Sequence, residues 1–105
     1  MIQTAVKRLR AIGGQLTDQL DTRQLAEATS ATDAFTHPLS PEDIRALLLL
    51  LPDGGDTASG VNWTILHAIE ASPAWPVWDT LERADNEWIA IFEARLANAG
   101  LHPPD

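Results

Sequence analysis

Along most of this chain, apolar residues recur at the spacing of one helix face. From Ile2 they fall at Val6, Leu9, Ile12, Leu16 and Leu20, close to a continuous 3.6-residue stripe. Gly13-Gly14 interrupts it at a cost of about 2 kcal/mol against alanine, enough to split or kink a helix. Asp21 with Gln24 three residues later has the form of a capping box. The pattern therefore predicts one helix to about residue 12 and another to about residue 29. Residues 30–39 (SATDAFTHPL) lose the periodicity and read as a loop, with Phe35 against the core and His37 kept out of helix by Pro38.

The next helix has a full set of start signals. Ser40 suits the N-cap and Pro41 the first turn, while Glu42 and Asp43 complement the helix dipole. Leu39 and Ile44 are placed as a hydrophobic staple, and Ile44, Leu47, Leu48 and Leu51 form the inward stripe. Leu49 and Leu50 widen that stripe almost around the helix. Either the helix is enclosed by the rest of the chain, or Leu49 belongs to a partner surface. Pro52 ends the helix, and PDGGDTASG reads as a mobile turn of small residues.

The stretch from Val61 to Leu81 holds Trp63, Trp75 and Trp78, three of the four tryptophans, with Pro73 and Pro76 among them. Val61, Ile65, Leu66, Ala68 and Ile69 recur at helical spacing, and the prolines then force a corner. Because tryptophan buries a large area, these three are expected to set how the neighbouring helices pack. A short helix is expected over 76–83. Asp85 is expected to cap a last helix over 86–98, with Trp88, Ile89, Phe92 and Leu96 facing inward. Gly100 and Leu101 fit a Schellman ending, and His102–Asp105 reads as a frayed tail or the start of a linker. With no strand pattern and no repeat, the expected fold is all-α, a single domain of five or six short helices.

Charge changes this picture more than composition does. The net charge is −8, yet Lys7, Arg8 and Arg10 stand within the first ten residues. From residue 11 onward there are 15 acids against four bases. Such a surface disfavours nucleic-acid backbone and anionic lipid and favours basic proteins, although an acidic exterior also serves solubility alone. The longest apolar run, Ala46–Leu51, is too short to span a bilayer, and Met1–Ile12 lacks the apolar block of a signal peptide. A cytoplasmic location is the expectation. One lysine against six arginines, with much alanine, points to a GC-rich bacterial genome.

Candidate chemistry is sparse. The absence of cysteine removes disulfides, thiolate chemistry and cysteine-based zinc sites. His37, His67 and His102 are far apart, and only His67 has a carboxylate at helical spacing, Glu70. Trp63 and His67 can stack at i, i+4. The loop with Asp53, Asp56, Thr57 and Ser59 lacks the ligand density and the closing glutamate of a calcium loop. Gly54-Gly55 lacks the spacing and the lysine of a phosphate-binding loop. No nucleophile stands with a base and an orienting acid, so no cofactor, metal or catalytic set is expected.

No motif carries residues over from a known family. At fold level only, a small acidic helical bundle resembles colicin-type immunity proteins, which block basic nucleases. A six-helix bundle of this length resembles death-fold-like adaptor domains. The reading is a protein-interaction module, in the first place an inhibitor or immunity-type protein with a basic partner. Its acids would come from two segments, Glu42, Asp43, Asp53 and Asp56, and Asp79, Glu82, Asp85 and Glu87. An adaptor or self-associating module using Leu49, Trp75 or Trp78 is the alternative, and a small enzyme with a pocket lined by His67 and Glu70 is the third.

Overall fold

A computed structural model describes residues 2–82 and 86–101, with Glu82 as backbone alone. Among the described residues there are five α-helices and one 3-10 segment, with no strand. The helices are α1 (Thr4–Ala11), α2 (Thr22–Asp33), α3 (Pro41–Leu50), α4 (Val61–Glu70) and α5 (Glu87–Asn98), and the 3-10 segment is Trp78–Glu82. The radius of gyration, 13.2 Å, is that of one compact domain of this length.

Local signals account for most helix ends. Gly13 and Gly14 adopt positive φ (106° and 66°), which stops α1 outright rather than kinking it. Asp21 and Gln24 form the capping box, and α2 then runs to Asp33, about four residues past the expected end. Its continuation buries Ala31 and Thr32 and brings Phe35 to the core, so packing decided what local pattern left open. Ser40 caps α3, with Asp43 completing a second capping box. At α5, the N–H groups of Gly100 and Leu101 donate to Ala97 and Leu96, which is the Schellman ending. The cap at its other end is Asn86 and not Asp85: the Asn86 side chain accepts from the Ile89 N–H. Asp85, Arg83 and the tail 102–105 lie outside the described residues.

The core is assembled from Val6, Leu9 and Leu16 of the first segment, the α3 stripe, the α4 stripe, and Trp88, Ile89 and Phe92 of α5. Helix α1 packs on α2 and α3, and α2 packs on α4. Tryptophan use departs from expectation. Trp88 is the fully buried one, while Trp63 is 38 % exposed and Trp75 and Trp78 are half-buried. Trp63 lies off the buried stripe of α4 and lays its ring edgewise on Trp88 (centroids 5.0 Å, 71°). Trp75 leans on Phe92. The corner is anchored by Ser72, whose hydroxyl donates to the Leu39 carbonyl at 2.6 Å, and it continues into a 3-10 segment shorter than the helix expected there.

Two polar clasps close the fold. In the first, the buried Asn62 donates from Nδ2 to the carbonyls of Leu16 and Asp56, both at 2.8 Å. The Trp88 indole N–H donates to the same Asp56 carbonyl at 2.9 Å. The Asp18 N–H donates to the Asp56 carboxylate, and the Ala58 N–H to that of Asp18. The loop after α3 is thus fastened along its length, and the mobile turn expected there is a structural joint. Asn62 Oδ1 is buried with no partner among the described residues, a cost that its two donor bonds have to offset. In the second clasp, Asp43 is only 2 % exposed and accepts from the Gln3 backbone N–H (2.9 Å), Gln3 Nε2 (3.0 Å) and the Ser40 N–H (3.2 Å). Burial pushes the Asp43 carboxyl up, but the hydrogen bonds from Gln3 and Ser40 together hold it below the ordinary aspartate value.

Two outcomes test these clasps. Asn62→Asp, nearly isosteric, replaces the donor with an acceptor facing two carbonyls. It should destabilise the fold by about 3 kcal/mol or more, at least as much as Asn62→Ala, in urea unfolding. A smaller loss for Asp than for Ala would refute the assigned geometry. Asp43→Asn should cost about 1–3 kcal/mol at neutral pH. A depressed native pKa stabilises above the unfolded value of about 3.9 and is lost as pH falls through the native value. The gap between wild type and Asp43→Asn should therefore narrow below about pH 4, and a gap constant with pH would contradict the account.

Candidate protein-docking surfaces

The described acids of the candidate set fall into separate places. Asp43 is buried in its clasp, so it is withdrawn from the docking surface: its oxygens are filled by Gln3 and Ser40. Glu42 is exposed on the first turn of α3, and hydrogen bonding to its own backbone N–H and to the Ser40 hydroxyl lowers its pKa. Asp79 is exposed and pairs with Arg45 at 3.3 Å. Both members of that pair are open to solvent, so it adds little stability. The Glu82 side chain and Asp85 lie outside the described residues.

Asp53, Asp56 and Glu87 do come together. The Glu87 N–H donates to the Asp53 carbonyl at 3.0 Å, and Asn86 Nδ2 donates to the Asp53 carboxylate at 2.9 Å. The Glu87 carboxylate lies over Gly55, in the space that a side chain at that position would take. Asp18, which the sequence did not single out, joins them through Asp56. Two acidic segments 30 or so residues apart thus meet on one edge. Trp63 is linked to this edge through Trp88, on which it rests and whose indole N–H reaches the Asp56 carbonyl.

Leu49 has the opposite setting. At 65 % exposure it stands clear of the core, so α3 is not enclosed on that side. It lines a shallow groove of about 340 Å³ between α1 and α3, together with Ile2, Ala46 and Leu50, rimmed by Arg10, Arg45 and Glu42. A second groove of about 270 Å³ runs between α1 and α2, floored by Ala11 and Ile12 and rimmed by Arg8, Arg23 and Glu27. Arg8 is paired with Glu27 there at 2.9 Å. Trp75 and Trp78, the other two apolar candidates, are half-buried, and Trp75 is engaged with Phe92.

His67 and Glu70 line neither of these grooves. His67 stands in solvent with its ring 6.5 Å from that of Trp63, and Glu70 is held by Arg95 at 2.6 and 2.8 Å. Among the described residues, no three histidine, aspartate or glutamate side chains converge as metal ligands. No described helix is long and apolar enough to cross a membrane. No family model, curated protein or solved structure matches this chain.

Proposed function

We propose that this chain is a protein-interaction module that holds a basic partner protein, in the manner of an inhibitor or immunity-type protein. One observation carries the reading: Asp53 and Asp56 of the loop after α3, Glu87 of α5 and Asp18 are linked along one edge, to which Trp63 is joined through Trp88. A partly exposed tryptophan packed on Trp88, next in the chain to Glu87, has the make-up of an interface anchor, with an aromatic surface to bury and nearby charge to orient what approaches it. The Asp18, Asp53 and Asp56 carboxylates are preordered by hydrogen bonds from Ala58, Asn86 and Asp18, so little of their side-chain freedom is lost on docking. The net charge of −8 extends the attraction beyond the contact and favours fast association at low salt.

The adaptor reading has its own support in Leu49, an exposed apolar side chain over the α1/α3 groove.

The test is affinity capture with the immobilised wild-type chain beside a Trp63→Ser/Glu87→Arg double variant. The wild type should retain a basic protein at low salt, release it as salt rises, and bind it at least about tenfold more tightly than the variant does. A partner held equally by both, or held without regard to salt, would contradict the proposal.

A further inference from the structure

Charge in this molecule is sorted by place. Five of the seven basic residues gather around α1: Lys7, Arg8 and Arg10 on the helix itself, Arg45 across the α1/α3 groove and Arg23 across the α1/α2 groove. Arg8 and Arg45 are answered by Glu27 and Asp79, but Lys7, Arg10 and Arg23 have no partner among the described residues. Lys7 and Arg10, three apart on α1, share a face. Two cations to one acid around each apolar floor is an unexpected balance on a chain of net charge −8. The stability of α1 does not require it, because of these residues only Arg8 and Arg10 stand near the helix end that favours cations.

The same molecule carries the complement of that groove. Its acidic edge, with Asp56 and Glu87, is joined through Trp88 to an aromatic knob, Trp63, whereas the α1/α3 groove presents an apolar hollow, with Ile2 and Leu49, whose lining of Arg10, Arg45 and Glu42 has a positive balance. The two surfaces have no residue in common. We infer that two copies of this chain associate head to tail, with the Trp63 edge of one seated in the α1/α3 groove of the next. The contact is heterologous: each copy gives one surface and receives on the other, so association continues into rings or chains unless the rotation closes it. Knob and hollow supply the buried apolar area, and the opposed charges set the orientation. This inference rests on the reading of the acidic edge as a docking surface, and it names a second copy as an occupant of the groove.

Sedimentation of mixed variants tests it. The wild type should associate at concentrations up to about 1 mM, with affinity falling at least about tenfold as salt rises from about 0.1 M to about 1 M and screening shortens from about 10 Å to about 3 Å. Leu49→Asp, which spoils only the groove, and Trp63→Asp, which spoils only the edge, should each be monomeric. Mixed together they should form a one-to-one pair that grows no further, because each supplies the surface the other lacks. Arg10→Glu and Glu87→Arg should each be monomeric alone, but mixed they should grow into alternating assemblies, because the native contact and the charge-swapped contact both pair opposite charges. Both of those positions are exposed, and circular dichroism checks that all four variants remain helical. A wild type that stays monomeric to about 1 mM would overturn the inference, and so would an associating wild type whose folded variants fail to pair. Either result leaves capture of a foreign basic partner standing. Loss of that capture with pairing intact would instead sink the foreign-partner reading alone.

Discussion

One buried amide fixes the geometry on which everything else rests. Asn62 sits inside the core and holds two carbonyls from different stretches of chain, Leu16 from the connection after α1 and Asp56 from the loop after α3. Carbonyls removed from water and left unpaired would each cost about 1–3 kcal/mol, so the two loops can pack inward only with the amide present. Leu16 also donates its own N–H to the Leu50 carbonyl, which carries the clasp to the end of α3. The same Asp56 carbonyl takes the Trp88 indole N–H, so the aromatic centre of the core is registered against the loop. Trp63, packed edgewise on Trp88, is positioned in turn. The candidate docking edge is therefore set from the inside of the protein outward.

The acidic composition serves the fold before it serves a partner. Asp43, Asp53 and Asp56 each accept hydrogen bonds that tie distant segments together, and Asp21 caps a helix. Because carboxylates accept without donating, they suit loops and helix starts where backbone N–H groups lack partners. Satisfying those N–H groups leaves the net charge in place, so one residue can close a loop and still contribute to the field around the molecule. The cations answer a different demand. They collect around α1, away from the acids of the loop edge, and the result is a polarised surface on a chain whose total charge is strongly negative.

What the sequence made legible was local. Capping residues, the glycine stop after α1, the Ser40-Pro41 start and the Schellman ending all act within four or five residues, and the helices begin or end close to where those signals lie. The helical character of the whole chain followed from the same periodicity. Contacts between residues far apart were not legible. Asn62 and Asp43 look like surface residues by type, and only their partners 46 and 40 positions away make them interior ones. Trp88 faces inward as its place in the α5 stripe predicts, whereas Trp63 lies off the buried stripe of α4 and stays partly exposed. The docking edge was half visible: Asp53, Asp56 and Glu87 belonged to the expected set, but nothing local joins them to Asp18 or links Trp63 to them.

The central claim is that the loop 52–60, Asn62 and Trp88 form one cooperative unit with the core. Hydrogen exchange of the Trp88 indole N–H, followed by NMR at increasing sub-denaturing urea, tests this directly. The account predicts that this proton exchanges only through global unfolding, with the same free energy and the same dependence on urea as the slowest backbone amides of α4 and α5. Fast exchange through a urea-independent local opening, with those helices still protected, would contradict it.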